Sequence, residues 1–356
     1  MDMRRTVSRI SRAVPSLLVT VLFAGIAAGE QQPPAGSSIP LIQANTELVL
    51  VDALVTDANN NPPIATLNAS DFQLTENGSP QTISSCSRNA LPLSIVMLFD
   101  LTDSVQSQLK ALSTQALEVL SHLRPEDEVA VMTFSSTTHL LQPFTHDQAA
   151  ISDAIQQAAR SHSKEATFID EVVDQAANEA QRATTPHSRR VLLFFTDGTS
   201  DPPTPLTRKI SPSAPKALRT QAEAQRNLLA HGVTVSAVIE RSALTSATLI
   251  EQNVNPLDTL LGFAVGYRIH SKDFQHFAEM TGGPYLRGNG KDSAQRMIQI
   301  IDELRNRYTL GYRPDSSCAA GEFCRIALRF SPGALKQYPE LKARHFRIET
   351  RTGYYR

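Results

Sequence analysis

Leu93-Ser94-Ile95-Val96-Met97-Leu98-Phe99-Asp100-Leu101-Thr102-Asp103-Ser104 decides the reading of this chain. The apolar run Leu93 to Phe99 reads as a buried strand. Asp100, Thr102 and Ser104 then place one carboxylate and two hydroxyls at alternate positions, where the strand gives way to a helix. A second apolar run, Val191 to Phe195, ends the same way at Thr196-Asp197-Gly198. Hard oxygen ligands at the carboxyl ends of buried parallel strands suit Mg²⁺ or Mn²⁺. The pattern points to metal-dependent binding rather than to acid–base or nucleophilic chemistry.

Outward from these runs, strands and helices alternate. An apolar stripe of Val105, Leu109, Leu112, Leu117, Leu120 and Leu123 predicts a helix. Glu128 to Phe134 reads as a strand and His139 to Phe144 as its hairpin partner. Helices are predicted over Asp147 to Ala159, Phe168 to Arg182 and Lys216 to Ala230, the last stopped by His231-Gly232. Val233 to Ile239 and Tyr285-Leu286 read as strands. Phe274 to Met280, stopped by Gly282-Gly283, and Ser293 to Arg307 read as helices. The Pro-rich stretch Asp201 to Pro215 reads as a long loop and Arg241 to His270 as an irregular insertion. Such alternation predicts a three-layer, doubly wound α/β fold with a mostly parallel sheet. Its extent is residues 91–308.

A β segment over 45–90 precedes this core. It contains the alternating strand Val49 to Val55 and a hairpin turning at Asn77-Gly78. A C-terminal β segment, 309–356, follows, with strands at Thr309 to Tyr312, Cys324 to Phe330 and His345 to Thr350. Each segment is too small to fold alone. The two are expected to pair into one sandwich-like module. Cys318 and Cys324 sit close together in a loop and can clip it, leaving Cys86 over, or Cys86 pairs with one of them.

Arg4, Arg5, Arg9 and Arg12, the apolar stretch Ala13 to Ile26 and the small residues Ala27-Ala28-Gly29 read as a cleaved secretory signal over 1–29. Residues 30–44 are a linker by composition. The mature chain is expected to be exported, to the periplasm, the cell surface or the medium, with no membrane span. Without residues 1–29 it carries 30 basic and 34 acidic side chains, and no basic stripe favours nucleic acid.

The candidate metal ligands are Asp100, Thr102, Ser104, Asp197 and, from a third loop, Thr167, which opens a helix. Any one of them is also an ordinary helix-capping residue. Five together on three strand ends favour a site. There is no H-E-x-x-H, no G-x-S-x-G and no Cys/His nucleophile signature.

The order D-x-T-x-S, a distant Thr opening a helix, then strand–Thr-Asp-Gly resembles the von Willebrand factor type A domain and its metal-ion-dependent adhesion site. Val51 to Asp57, Asp71 to Gly78, Tyr308 to Tyr312 and Arg351 to Tyr354 resemble the flanking segments of the von Willebrand factor A-related proteins of acidobacteria. The resemblance implies direct metal binding by Thr102 and Ser104. It implies direct or water-mediated contact by Thr167, and contact mainly through water by Asp100 and Asp197. An acidic residue of a protein ligand would complete the shell. Thr102 stands where the family usually has Ser, Asp103 where it usually has Gly, and the loop before Thr167 lacks the usual glycines. The function so implied is divalent-cation-dependent protein–protein binding or adhesion. The alternatives are a metal-independent scaffold of an envelope complex and, behind it, a metal-dependent hydrolase, which lacks a general base or nucleophile beside the site.

Overall fold

The computed structural model describes residues 48–57, 59, 61, 66–88, 91–240, 271–288, 293–315 and 318–356. The expected leader and linker, and the expected insertion over 241–270, lie outside these. The first described elements are β1 (Val49–Thr56), a 3-10 turn (Ala69–Asp71), β2 (Phe72–Glu76), β3 (Ser79–Gln81) and β4 (Ile83–Ser87). Then come β5 (Leu93–Asp100), α1 (Gln106–Leu120), β6 (Glu128–Phe134), β7 (Thr138–Thr145), α2 (Gln148–Ala159), α3 (Ile169–Ala180) and β8 (Arg189–Thr196). They are followed by α4 (Pro205–Lys209), α5 (Gln221–Ala230), β9 (Thr234–Glu240), α6 (Ser271–Thr281), β10 (Tyr285–Gly288) and α7 (Ser293–Arg305). The chain closes with β11 (Tyr308–Tyr312), β12 (Phe323–Phe330), α8 (Pro332–Gln337), α9 (Glu340–Ala343), β13 (Arg347–Thr350) and β14 (Gly353–Tyr355).

The central sheet has the order β10-β9-β8-β5-β6-β7, with every pairing parallel except the β6–β7 hairpin. Alternation along β5 sends Leu93, Ile95, Met97 and Phe99 to one face, where they pack with α1, α2 and α7. Val96 and Leu98 go to the other face, with α3, α5 and α6. Both faces are covered, so β5 is buried along its whole length. Each fully buried Leu, Ile or Phe adds about 1.5–3 kcal/mol of hydrophobic stabilisation. The expected three-layer α/β architecture is the observed one. Strand order reverses between β5 and β8, which makes the carboxyl ends of these two neighbours the switch point of the sheet.

Three local expectations are corrected. The helix expected from Lys216 begins at Gln221. Thr220 Oγ1 accepts from Glu223 N and Glu223 Oε2 accepts from Thr220 N, a reciprocal cap that fixes the start. The stretch Asp201 to Pro215 is not all loop, because Thr204 caps the short helix α4 and Pro205 opens it. The C-terminal segment holds two short helices among its strands. Ser331 caps the first of them through Ala334 N, with Pro332 at its opening position.

The β segments before and after the α/β core share two four-stranded sheets, β13-β1-β11-β4 and β14-β12-β2-β3. Each sheet mixes strands from both ends of the chain. Between them lie Val51, Ala53, Phe72, Leu74, Leu310, Tyr312 and Ile326. The sandwich is therefore built as expected, but no Cys86 bridge supports it. Cys318 bonds to Cys324 and Cys86 is free. Backbone pairing, such as Val51 with Leu310 and Leu74 with Leu328, joins the two ends instead. The hairpin at Asn77-Gly78 forms with both residues at positive φ, as its turn type demands. Arg189 on β8 joins sandwich to core. It bonds Asp52 and Thr309 on one side, and the carbonyls of Leu304 and Arg305 at the end of α7 on the other. Among the described residues, no helix is long and apolar enough to cross a membrane.

Candidate metal centre at the switch point of the sheet

Asp100 is the last residue of β5, with no exposed surface. Thr196 ends the neighbouring strand β8, and the Thr196 hydroxyl donates to Asp100 Oδ2 at 2.7 Å. Beneath them Phe99 and Phe195 stack at 4.5 Å, which holds the two strand ends in register. The other oxygen, Asp100 Oδ1, accepts from the backbone N–H (3.0 Å) and the hydroxyl (2.6 Å) of Thr102.

From Thr102 a chain of hydroxyls leads to the second carboxylate. Thr102 Oγ1 lies 3.2 Å from Ser104 Oγ, and Ser104 Oγ lies 3.2 Å from Thr199 Oγ1. Thr199 Oγ1 donates to Asp197 Oδ1 at 2.7 Å, and the Thr199 N–H donates to the same oxygen. The structure thus brings Asp100, Thr102, Ser104 and Asp197 together. It adds Thr196 and Thr199, which the sequence reading passed over. Thr-Asp-Gly-Thr-Ser-Asp over 196–201 is dense in hydroxyls, and that density was the signal available.

These residues do not cap the helices beside them. The N-cap of α1 is Val105, which makes no side-chain cap bond, and that of α3 is Phe168, which makes none either. Apart from Asp197 Oδ2, their carboxylate and hydroxyl oxygens bond one another.

Thr167 reaches the group through the backbone. Its N–H donates to Asp201 Oδ2 at 2.9 Å and its carbonyl accepts from the Asp201 N–H at 2.8 Å. Asp201 lies on the loop that carries Asp197 and Thr199, so the third loop is fastened to the second. Further hydrogen bonds fix that third loop. Ser163 N–H donates to the Leu101 carbonyl, and Ala166 N–H donates to Ser211 Oγ. Glu165 accepts from the Ser136 hydroxyl and from Ser213 N–H.

Asp103 does not crowd the cluster. Its backbone stays out of the left-handed region, so the turn works without glycine. Its carboxylate is largely exposed and pairs with His162 Nε2 at 2.5 Å.

The electrostatics of the cluster favour a positive charge beside it. Burial, then the negative charge of Asp197, pushes the Asp100 carboxyl up to about 7, against the pull of its hydrogen bonds from Thr102 and Thr196. Asp197 Oδ2 is buried and has no hydrogen-bond partner among the described residues. A buried carboxylate oxygen left unpaired is costly. A divalent cation beside these oxygens would satisfy it and offset the repulsion. Two carboxylates with neighbouring hydroxyls are the hard-oxygen donor set that Mg²⁺ and Mn²⁺ accept.

The sequence family described as the von Willebrand factor type A domain matches residues 95–199, the stretch from β5 to the end of this cluster. The chain carries a von Willebrand factor type A domain. Solved structures similar to it include a von Willebrand factor type A protein from Catenulispora acidiphila, with 10% identity and a TM-score of 0.42 over 82% of this chain and 72% of that one. The conserved hypothetical protein BatB from Bacteroides thetaiotaomicron shares 18% identity, with a TM-score of 0.41 over 60% of this chain and 98% of that one. The vWF domain of the type V pili tip protein Mfa5 from Porphyromonas gingivalis shares 12% identity, with a TM-score of 0.38 over 60% and 95%. No curated protein matches the chain. Von Willebrand factor type A domains are in general modules of protein–protein interaction rather than enzymes. In this one, the matched stretch holds the two carboxylates and the hydroxyl chain that joins them.

Proposed function

We propose that this von Willebrand factor type A domain binds a protein partner through a divalent cation, Mg²⁺ or Mn²⁺, held by Asp100, Thr102, Ser104, Thr167 and Asp197. The observation that carries this reading is the unpaired, buried Asp197 Oδ2 at the end of a hydroxyl chain that begins at Asp100. Thr102 and Ser104 offer hydroxyl oxygens to the ion, while Asp100 holds the Thr102 hydroxyl in place. A carboxylate from the partner fills a remaining coordination position. The function is binding, not turnover. The chain acts outside the cytoplasm after removal of residues 1–29, and its sandwich of terminal strands presents the domain.

Calorimetric titration of Mg²⁺ and Mn²⁺ into the chain without its leader tests the reading. Saturable binding that disappears in Asp100→Ala/Asp197→Ala supports it, and equal heats in both proteins refute it. One observation favours the second reading, a metal-independent scaffold. Both oxygens of Asp100 are already hydrogen-bonded within the protein. Partner binding indifferent to chelator would select that reading.

A further inference from the structure

Among the described residues six large apolar side chains are exposed, and two of them, Leu206 (62%) and Ile210 (49%), lie within one short stretch. They are four residues apart on α4 and its last turn, where Ile210 N–H donates to the Leu206 carbonyl at 3.2 Å. That spacing puts both on one face. The turn is preformed, with Thr204 and Thr207 capping each other, Pro205 at the first position, and Arg208 donating to the Pro215 carbonyl at 2.7 Å. The segment is held in shape and presents two aliphatic side chains on one exposed face.

The position of this strap relative to the cation cluster is fixed at both ends. Asp201, at its start, bonds Thr167 through N–H and carboxylate. Ser211 and Ser213, at its end, accept from Ala166 N–H at 3.0 Å and donate to Glu165 Oε1 at 3.3 Å. The strap therefore arches out from residues 165–167 and returns to them. Ile210 directly precedes Ser211. Leu206 is five residues from Asp201, within about 18 Å at full extension. Lys164 and Lys209 are exposed on the same two segments and take part in no ion pair among the described residues.

We infer that Leu206 and Ile210 form the specificity-determining part of the partner surface. The occupant is a polypeptide segment that carries one carboxylate for the cation and, a few residues away, an aliphatic or aromatic side chain for this pair. The inference rests on the cation reading above and is continuous with it in space. An acidic segment suits Lys164 and Lys209, and its apolar neighbour suits the Leu206–Ile210 face. The cation would hold the carboxylate the same way in every acidic peptide. The apolar contact is what would separate one acidic partner from another.

The test uses an array of synthetic peptides, each with a single central Asp or Glu and varied flanking residues, probed with the chain without its leader in Mn²⁺ and in EDTA. The expected result is retention in Mn²⁺ only, favouring peptides with Leu, Ile or Phe near the acid. Leu206→Asp/Ile210→Asp should weaken those peptides by about tenfold and erase the preference, while its Mn²⁺ titration stays as in the wild type. Both side chains are exposed, so the variant should fold. Retention without an apolar preference, a preference the variant keeps, or no retained peptide overturns the inference while a normal Mn²⁺ titration leaves the cation reading standing. Loss of Mn²⁺ binding in the wild type sinks the cation reading itself. Sedimentation showing a dimer that Leu206→Asp/Ile210→Asp dissociates would assign the face to a second copy and also overturn it.

Discussion

Ser104 Oγ and Thr199 Oγ1 stand 3.2 Å apart and connect two loops that leave neighbouring strands of the sheet. Through this contact the Asp100 side of the cluster communicates with the Asp197 side. Thr199→Val keeps the volume and removes the hydroxyl. It should weaken Mg²⁺ and Mn²⁺ binding by about tenfold in calorimetry, with the melting temperature little changed. Wild-type affinity in this variant would show that the hydroxyl chain does not organise the ligands.

Asp201 fastens the Thr167 loop to the Asp197 loop with two hydrogen bonds. Asp201→Ala leaves the Thr167 N–H without its carboxylate and should cost about 1 kcal/mol of stability. Its larger effect should fall on cation-dependent partner binding, measured as retention of acidic peptides in Mn²⁺. A variant that loses stability but binds as before would reduce Asp201 to a structural tether.

The Arg189–Asp52 pair gives the joint between sandwich and core a pH dependence. Burial acts to raise the Asp52 carboxyl, but the charge and hydrogen bond of Arg189, with the Thr309 hydroxyl, outweigh it and hold it below 3.8. A carboxyl lowered in the folded state binds fewer protons there than in the unfolded chain. Its contribution is therefore complete above about pH 4 and is lost as pH falls below that. Asp52→Asn should flatten the acid limb of stability against pH in urea titrations. Arg189→Met, which strands Asp52 and the carbonyls of Leu304 and Arg305, should cost about 3 kcal/mol. An unchanged acid limb in Asp52→Asn would contradict the assignment.

The Cys318–Cys324 bridge closes a short loop. Cys318→Ser/Cys324→Ser should lower stability by about 2 kcal/mol from chain entropy. Cys86→Ser should do little, because Cys86 is free. Burial, and then Asp71, raises the Cys86 thiol above its ordinary value, so it should alkylate slowly in the folded protein. Peptide mapping after alkylation under non-reducing conditions should find the label on Cys86 alone.

The sequence carried the core of this account because its periodicities are large. Buried parallel strands such as Leu93–Asp100 and Arg189–Thr196 read as unbroken apolar runs, and both end at carboxylates. Their adjacency is a long-range parallel pairing that the alternation of strand and helix does not encode. The hydroxyls of Thr196 and Thr199 were harder to see. Their roles come from contacts across 95 or more residues, to Ser104 and Asp100, which local spacing does not encode. The start of α5 depended on the Thr220–Glu223 cap, which outcompeted the helix-forming residues before it. Pairing of β1 with β11 and of β2 with β12 is set by which strands bury a common apolar face, a property of the assembled sandwich. Asp103 stands where glycine is usual in the resembling family. In the fold its carboxylate turns to His162 and its backbone needs no glycine.

The most direct measurement is anomalous diffraction from crystals of the chain grown with Mn²⁺. The account predicts a peak bounded by the oxygens of Thr102, Ser104 and Asp197, with Asp100 behind them, and no such peak in Asp100→Ala/Asp197→Ala. Well-ordered loops at the ends of β5 and β8 with no Mn²⁺ peak between them, or a peak only at the Asp103–His162 pair, would contradict it.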